Sequence, residues 1–200
     1  MEFRRRASGH PGRLGILPGA FNPPTLAHLA LAEAALACSE VDEVVFVLPR
    51  SLPHKEFSGA TLDQRLEMLL SICSDPAHSV ALSDAGLFLE IAEECRAPYG
   101  KQVRLTFLCG RDAAERIANW DYGRPDAFPE MLGKFHLLVA ARGGEYEVPA
   151  KCRAAIRPLL LSADFDHVSG SEVRARIARR EPWEHLVPAA IREQVRAIYS

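Results

Sequence analysis

The chain has 200 residues, of which 48% are hydrophobic and 25% are charged, and its formal net charge is -2. This balance is typical of a soluble globular protein, excludes a disordered or fibrous chain, and predicts one domain with a sizeable core. Because the net charge is close to zero, we expect no whole-chain attraction to nucleic acid or membranes, and any anion site has to be local.

The first residues, "MEFRRRASGHPGR", carry the charge of a signal peptide but lack its apolar core. We therefore predict a flexible tail over residues 1–12 and a single domain over residues 13–200. The five cysteines are scattered and contain no CxxC pair, which argues against a disulfide framework or a zinc site and favours a reducing cytoplasm. No apolar run approaches the roughly 18 residues that a membrane span needs.

Short apolar runs alternate with longer amphipathic stretches along the rest of the chain. Runs such as "EVVFVL" are apolar almost throughout, as in strands that are covered on both faces. The pattern predicts an α/β fold: a Rossmann-like open parallel sheet with helices on both faces and a C-terminal helical extension. The predicted strands cover residues 13–17, 43–48, 79–83, 103–109, 135–140 and 159–163. The predicted helices cover residues 26–37, 61–74, 87–95, 111–118, 125–132, 150–156, 170–180 and 188–199.

The turn "LPGAFNPPTLAH" follows the first strand, at the sheet edge where such folds bind ligands. Gly19 leaves room for a close approach, and Pro24 keeps the helix from starting earlier, so Thr25 is a plausible N-cap. Thr25 and His28 then share one face of the first helical turn, beside N–H groups that attract anions. Alternatively, Thr25 is only a cap and His28 is a partly buried histidine. The turn alone leaves both interpretations open.

Four later segments contain residues suited to phosphate or sugar chemistry. Lys55 ends the loop "LPRSLPHK" after the second strand, where it is either a phosphate ligand or an exposed loop lysine. Arg65 lies on a helix capped by Thr61 and is either a functional or a solvated residue. Asp112 in "CGRD" is able to accept from ribose hydroxyls or to cap a helix, and Trp120 is open to a structural role.

The fourth segment, "HVSGSEVRARIARREP", contains Ser169 and Glu172 at capping-box spacing, with Val173 and Ile177 expected to face inward. A capped helix N-terminus and an adjacent guanidinium both suit phosphate, so Arg174 joins the candidates. A capped surface helix without a ligand is the alternative interpretation.

In this order, the motifs resemble those of the nucleotidyltransferase superfamily. "GAFNPPTLAH" is similar to its Gly-x-Phe-(Asp/Asn)-Pro-x-(His/Thr)-x-x-His signature, especially as found in nicotinate and nicotinamide mononucleotide adenylyltransferases. "PHK", "R-x-x-M", "G-x-D" and "S-G-S-x-x-R" match further family segments, and the resemblance covers about residues 13–199. It implies transfer of the adenylyl group of ATP to a mononucleotide with release of pyrophosphate.

The resemblance also implies roles for individual residues. The implied catalytic residues are His28, Lys55 and Arg174. The implied ATP-binding residues are Gly19, Ala20, Phe21, Thr25, His28, Gly110, Asp112, Ser169, Gly170, Ser171 and Arg174. The implied acceptor-binding residues are Asn22, Lys55 and Trp120. No metal ligand is expected from the chain, because Mg²⁺ would be bound mainly by the ATP phosphates.

Residues 84–100 lack the "Gly-Pro-Ser-Tyr-Thr" segment that is usual in the nicotinate enzymes, and this departure leaves the acceptor open. The alternatives are nicotinate or nicotinamide mononucleotide, another phosphorylated acceptor, or a nucleotide sensor that no longer turns over. The expected partners are ATP and a small phosphorylated acceptor, without nucleic acid or membrane, and a homo-oligomer stays open. An RNA-binding arm in "RRRASGHPGR" is the weakest interpretation, since no broader basic excess accompanies it.

Overall fold

A seven-stranded sheet forms the centre of the molecule in the computed structural model, which describes residues 1–51, 59–120, 122–123, 126–141, 144 and 146–200. Its strands are β1 (Glu2–Arg5), β2 (Arg13–Pro18), β3 (Glu43–Pro49), β4 (His78–Ser83), β5 (Arg104–Gly110), β6 (His136–Ala140) and β7 (Ile156–Leu159). The spatial order is β1-β4-β3-β2-β5-β6-β7, and every pair is parallel except β1 with β4.

Helices cover both faces of this sheet. They are α1 (Leu26–Ala37), α2 (Leu62–Ile72), α3 (Phe88–Tyr99), α4 (Arg111–Ala118), α5 (Ala127–Met131), α6 (Gly170–Arg179) and α7 (Arg192–Tyr199). Short 3-10 helices lie at Ala150–Cys152, Glu184–Leu186 and Ala189–Ile191. In the part of the chain that the structure describes, no helix combines the length and the apolar character needed to cross a membrane.

Each face of the sheet has its own hydrophobic cluster. The first packs α1, α2, α6 and α7 on one face, through side chains such as Leu31, Leu69 and Val173. The second packs α3, α4 and α5 on the other, through side chains such as Ile91 and Phe107. The central strands β3 and β4 are buried at every residue, as expected of strands that are covered on both faces. The predicted Rossmann-like α/β fold with a C-terminal helical extension is therefore confirmed.

The expectation of a flexible tail needs correction, because its residues 2–5 form β1. Arg5 of this strand donates to the main-chain carbonyls of Ser74, Asp75 and His78 at 3.1–3.2 Å. Phe3 packs edge-on against Tyr99, with ring centroids 5.7 Å apart. These contacts to distant parts of the chain order a segment whose local sequence contains little but charge. The boundary of the single domain at residue 13 stays a prediction.

The last strand and the helix before it were also predicted wrongly. β7 covers Ile156–Leu159 rather than 159–163, and the predicted helix over 150–156 is only a 3-10 turn at its start. The run "LLLSA" suggested a buried strand, yet Leu160 is 85% exposed. β7 is an edge strand with only its end residues buried, so apolar content is a poor guide to its position.

Candidate active site

A cavity of about 540 Å³ opens at the carboxyl ends of the central strands. The cavity lies where the strand order reverses. From β2, the chain adds β3 and β4 on one side and then β5, β6 and β7 on the other. Open α/β sheets bind ligands at such switch points. The lining includes residues 17–20 at the end of β2, Pro49 at the end of β3, residues 108–110 at the end of β5 and residues 140–141 at the end of β6.

His28 is fixed at the N-terminus of α1 by the residue that caps this helix. Thr25 is fully buried, and its backbone N–H donates to Nδ1 of His28 at 3.0 Å; its Oγ1 lies 2.8 Å from the same atom. Since a backbone N–H can only donate, Nδ1 accepts, and the neutral imidazole carries its proton on Nε2. His28 lines the cavity with its ring centroid 5.0 Å from that of Phe21. The geometry provides an oriented donor at a helix N-terminus.

The turn before α1 is held by side chains from three other helices. Arg65 of α2 donates to the Ala20 carbonyl at 3.0 Å and to the Thr61 carbonyl at 3.3 Å. Arg174 of α6 donates to the Asn22 carbonyl. Tyr199 of α7 donates to Oδ1 of Asn22 at 2.5 Å. Distant parts of the chain thus fix the backbone that carries His28.

Arg65 is a buried residue, so the alternative of a solvated side chain is wrong. It is only 2% exposed, and burial lowers the pKa of its guanidinium. A pattern in the sequence points to this burial: Arg65, Met68, Leu69 and Ile72 follow the spacing of one helix face, and all are buried. The predicted N-cap Thr61 is confirmed, because its Oγ1 accepts from the Gln64 N–H at 3.2 Å.

The N-terminus of α6 meets the same turn. Ser169 caps this helix as predicted, accepting from the Glu172 N–H at 3.1 Å, while the Glu172 carboxylate pairs with Arg176 at 2.7 Å instead of completing a capping box. A Cβ on Gly170 would lie 2.8 Å from the Asn22 carbonyl oxygen. Only a glycine allows this approach, and it brings the N-termini of α1 and α6 together at one cavity.

The candidate site residues in the described part of the chain divide into two groups. Those that line the cavity are Gly19, Ala20, His28, Gly110, Trp120, Ser169 and Gly170. Those that the structure places outside its lining are Phe21, Asn22, Thr25, Asp112, Ser171 and Arg174. Lys55 lies outside the described residues, so its predicted role is neither supported nor contradicted.

Three members of the outer group differ in their burial and backbone conformation. Phe21 is buried with a positive φ of 47°, and its ring lies 3.0 Å from where a Cβ of Gly19 would stand. Asn22 is buried beside the cavity, accepts from Arg174 and Tyr199 as described above, and precedes a cis peptide bond to Pro23. Asp112 is exposed in the first turn of α4. The phosphate-holding and acceptor-holding roles of this group stay predictions.

One wall of the cavity was not predicted as part of the site. It is formed by residues 86–90, at the start of α3, within the segment that departs from the family pattern. Phe88 stacks on Phe107 with ring centroids 4.3 Å apart and an interplanar angle of 16°. The N–H of Leu87 donates to Oε2 of Glu90 at 3.3 Å. A helix with its own cap therefore stands where the family motif would be.

Among the described residues that line the cavity there is one cysteine, and it is not activated as a nucleophile. Burial raises the pKa of Cys109 to about 12, so its thiol stays protonated near neutral pH. Within the described ranges, no three His, Cys, Asp or Glu side chains lie close enough together to hold a metal ion. What the site offers is oriented N–H donors and the His28 imidazole.

The family model described as cytidylyltransferase-like matches residues 16–176 of the chain. A probable nicotinate-nucleotide adenylyltransferase of Moorella thermoacetica is 29% identical over 203 residues, covering 94% of this chain and 90% of the relative. The probable nicotinate-nucleotide adenylyltransferase of Stenotrophomonas maltophilia is 30% identical over 211 residues, covering 90% of this chain and 92% of the relative.

Among solved structures, Plasmodium falciparum nicotinic acid mononucleotide adenylyltransferase complexed with NaAD superposes with a TM-score of 0.70 at 15% identity, covering 92% of this chain and 95% of that one. This likeness shows the shared fold. The matches together confirm the resemblance that the sequence suggested. Because the family model spans most of the sequence and a relative is 30% identical over nearly its whole length, the chain belongs to the cytidylyltransferase-like family.

Proposed function

We propose that this protein transfers the adenylyl group of ATP to nicotinate mononucleotide and releases pyrophosphate. The names of its relatives support this reaction and this acceptor. The observation that carries the proposal is the position of His28, held through Nδ1 by Thr25 in the cavity that Ser169 and Gly170 also line. One cavity thereby offers an imidazole donor and a second helix N-terminus to a chain of phosphates.

In the proposed reaction, a phosphate oxygen of the acceptor attacks the α-phosphorus of ATP. A new P–O bond forms, the bond from the α-phosphorus to the α,β-bridging oxygen breaks, and that oxygen leaves with its electron pair on pyrophosphate. The Nε2–H of His28 donates to an α-phosphoryl oxygen whose charge grows in the transition state. Positioning and charge stabilisation supply the acceleration, so no covalent intermediate on the protein is needed.

The other candidate residues take supporting roles in this proposal. Ser171 and Arg174, in the first two turns of α6, would hold the leaving pyrophosphate. Lys55 would assist at the reacting phosphates, and Asp112 would accept from ribose hydroxyls. Trp120, at the cavity wall and 39% exposed, would stack on the pyridine ring of the acceptor.

Magnesium and a cytoplasmic location also belong to the proposal. Mg²⁺ would enter with ATP, coordinated by phosphate oxygens and water, and would neutralise charge on the phosphates. The chain would contribute the helix N-termini and His28 rather than a set of carboxylates. All five cysteines are free thiols, which supports a reducing compartment.

The test is pyrophosphate release by the purified protein with ATP and Mg²⁺, measured for a panel of acceptors. The panel contains nicotinate mononucleotide, nicotinamide mononucleotide, phosphopantetheine and a sugar phosphate, and mass spectrometry identifies the product. We expect turnover with nicotinate mononucleotide and formation of the dinucleotide. Turnover only with a non-pyridine acceptor would contradict the proposed acceptor. Tight ATP binding without turnover on any acceptor would favour a nucleotide sensor instead.

A further inference from the structure

Arg116 is a cation on the cavity wall far along α4. With Ala113 and Ile117 it forms the side of this helix that faces the cavity, as expected for residues spaced by three and four. Among the described residues, Arg116 has no hydrogen-bond or ion-pair partner, whereas Arg111 on the same helix binds Glu115 at 2.6 Å. The positive charge of Arg116 is therefore not neutralised by a neighbour within the described part of the chain.

The surroundings of Arg116 suit an aromatic ring rather than a phosphate chain. Phe88, Ile117, Tyr122 and Met131 line the same cavity and belong to the hydrophobic cluster on the α3–α5 face. Trp120 follows Arg116 by four residues and also lines the cavity. This part of the wall combines large apolar side chains with one guanidinium.

The groups suited to phosphate lie on the other side of the sheet. His28 belongs to α1, and Ser169 and Gly170 belong to the start of α6, both of which pack on the opposite hydrophobic cluster. A mononucleotide whose phosphate reacts beside His28 would extend its ring across the ends of the strands toward α4. Arg116 would then meet the ring end of the acceptor.

Of the rings in the proposed reaction, only that of nicotinate bears a negatively charged group, its carboxylate. Nicotinamide mononucleotide has a neutral carboxamide on the same pyridinium ring, and adenine bears no anionic group. A planar guanidinium binds a carboxylate through two parallel N–H donors, which gives both affinity and selectivity. Glu90, the acidic residue in this wall, accepts from the N–H of Leu87, as expected of an N-terminal helix cap. We infer that Arg116 recognises the ring carboxylate of the acceptor and sets the preference for nicotinate over nicotinamide mononucleotide.

This inference rests on the proposed function, and its test separates the two. Arg116→Gln removes the charge from an exposed position and should leave the fold unchanged. We expect kcat/KM for nicotinate mononucleotide to fall roughly 10- to 100-fold, as for loss of a charge-assisted hydrogen bond, with nicotinamide mononucleotide changed by less than about twofold. Since the inference assigns Arg116 to the acceptor and not to ATP, KM for ATP should stay the same.

Arg104→Gln is the matched control, since it removes an equal charge from the start of β5, at the opposite end of the sheet. It should leave kcat/KM for both acceptors unchanged. An equal fall for both acceptors in Arg116→Gln would overturn the inference, because it would place Arg116 at the phosphate that they share. No change for either acceptor would overturn it as well. Lack of turnover in the unmodified protein would refute the proposed function itself.

Discussion

The backbone N–H of Thr25 donates to Nδ1 of His28 at 3.0 Å, so the residue that begins helix α1 also orients the imidazole three positions later. In a capping box this contact is usually made by Glu or Gln. Here an imidazole takes that place, and the contact selects the tautomer with the proton on Nε2. Local helix capping and the proposed catalytic donor are therefore properties of the same pair of residues.

We expect His28→Ala to lower kcat by roughly 100-fold or more, the scale for loss of one preorganised donor to a transition-state oxyanion. Steady-state pyrophosphate release measures this change, and circular dichroism checks that the fold is intact. His185→Ala is the control, since His185 is exposed in a 3-10 helix and does not line the cavity. Near-normal turnover in His28→Ala would remove this residue from the proposed mechanism.

Arg65→Met should weaken both stability and catalysis. The substitution leaves the carbonyls of Ala20 and Thr61 without their buried donor, so we expect a loss of about 1–3 kcal/mol in the free energy of unfolding. Because Ala20 lines the cavity, kcat should also fall under conditions where the variant is folded. Urea unfolding and turnover measure the two effects.

Glu67→Gln on the exposed side of the same helix provides the comparison for Arg65→Met and should change neither quantity. If Arg65→Met were as stable as the unmodified protein, the hydrogen bond from Arg65 to the Ala20 carbonyl would not contribute to stability.

Gly170→Ala tests the approach of the two helix N-termini. Alanine usually stabilises a helix relative to glycine by about 0.5–1 kcal/mol. Here we expect Gly170→Ala to destabilise the protein instead, because the new Cβ would lie 2.8 Å from the Asn22 carbonyl oxygen and force the N-termini of α1 and α6 apart. Turnover should fall by about 10-fold or more, since small displacements of reacting groups are costly.

Gly9→Ala is a suitable control for Gly170→Ala, as a Cβ at Gly9 would meet nothing within 4 Å. Thermal unfolding and pyrophosphate release of the two variants give the comparison. A Gly170→Ala variant that is more stable and fully active would contradict the described packing.

Tyr199→Phe should remove a pH-dependent part of the stability. Burial raises the pKa of Tyr199 from 10.0 to about 12, so the folded protein holds the phenolic proton more tightly than the unfolded chain. The tyrosine therefore stabilises the fold fully below the unfolded pKa, and this contribution is lost as pH rises toward the folded pKa.

The difference in unfolding free energy between the unmodified protein and Tyr199→Phe should thus be constant up to about pH 10 and shrink above it. Below that pH, we expect the hydrogen bond to Asn22 to contribute about 0.5–1.5 kcal/mol. Urea unfolding at several pH values measures the difference. A difference that grows with pH above about 10 would contradict the assigned shift.

Local sequence patterns were sufficient for most of the fold. Helix α1 has the predicted bounds because Pro24 and Thr25 define its start, and α4 also matches its prediction. β7 was misplaced because an edge strand does not need a continuous apolar run. β1 was missed because its order depends on contacts with residues 74–78, which no local pattern encodes.

The candidate site shows the same division between local and distant signals. Local capping patterns placed His28, Ser169 and Gly170 at helix N-termini, and the family resemblance then assigned them to the site; all three line the cavity. The support that Arg65 gives to Ala20 joins positions 45 residues apart, and that of Tyr199 to Asn22 joins positions 177 apart. Such pairs depend on the topology of the whole sheet. The wall at 86–90 was missed for a related reason, since its sequence departs from the family pattern.

The two outer strands of the sheet also bear on how copies of this protein meet. Exposed backbone at a sheet border is a template for pairing with a second chain, and natural proteins reduce that hazard with short strands, charges and proline. β1 is four residues long and contains Arg4 and Arg5, while β7 includes Arg157 and Pro158, and proline has no N–H to offer an incoming strand. Continuous sheets between molecules are disfavoured at both borders, which protects the protein from edge-to-edge aggregation.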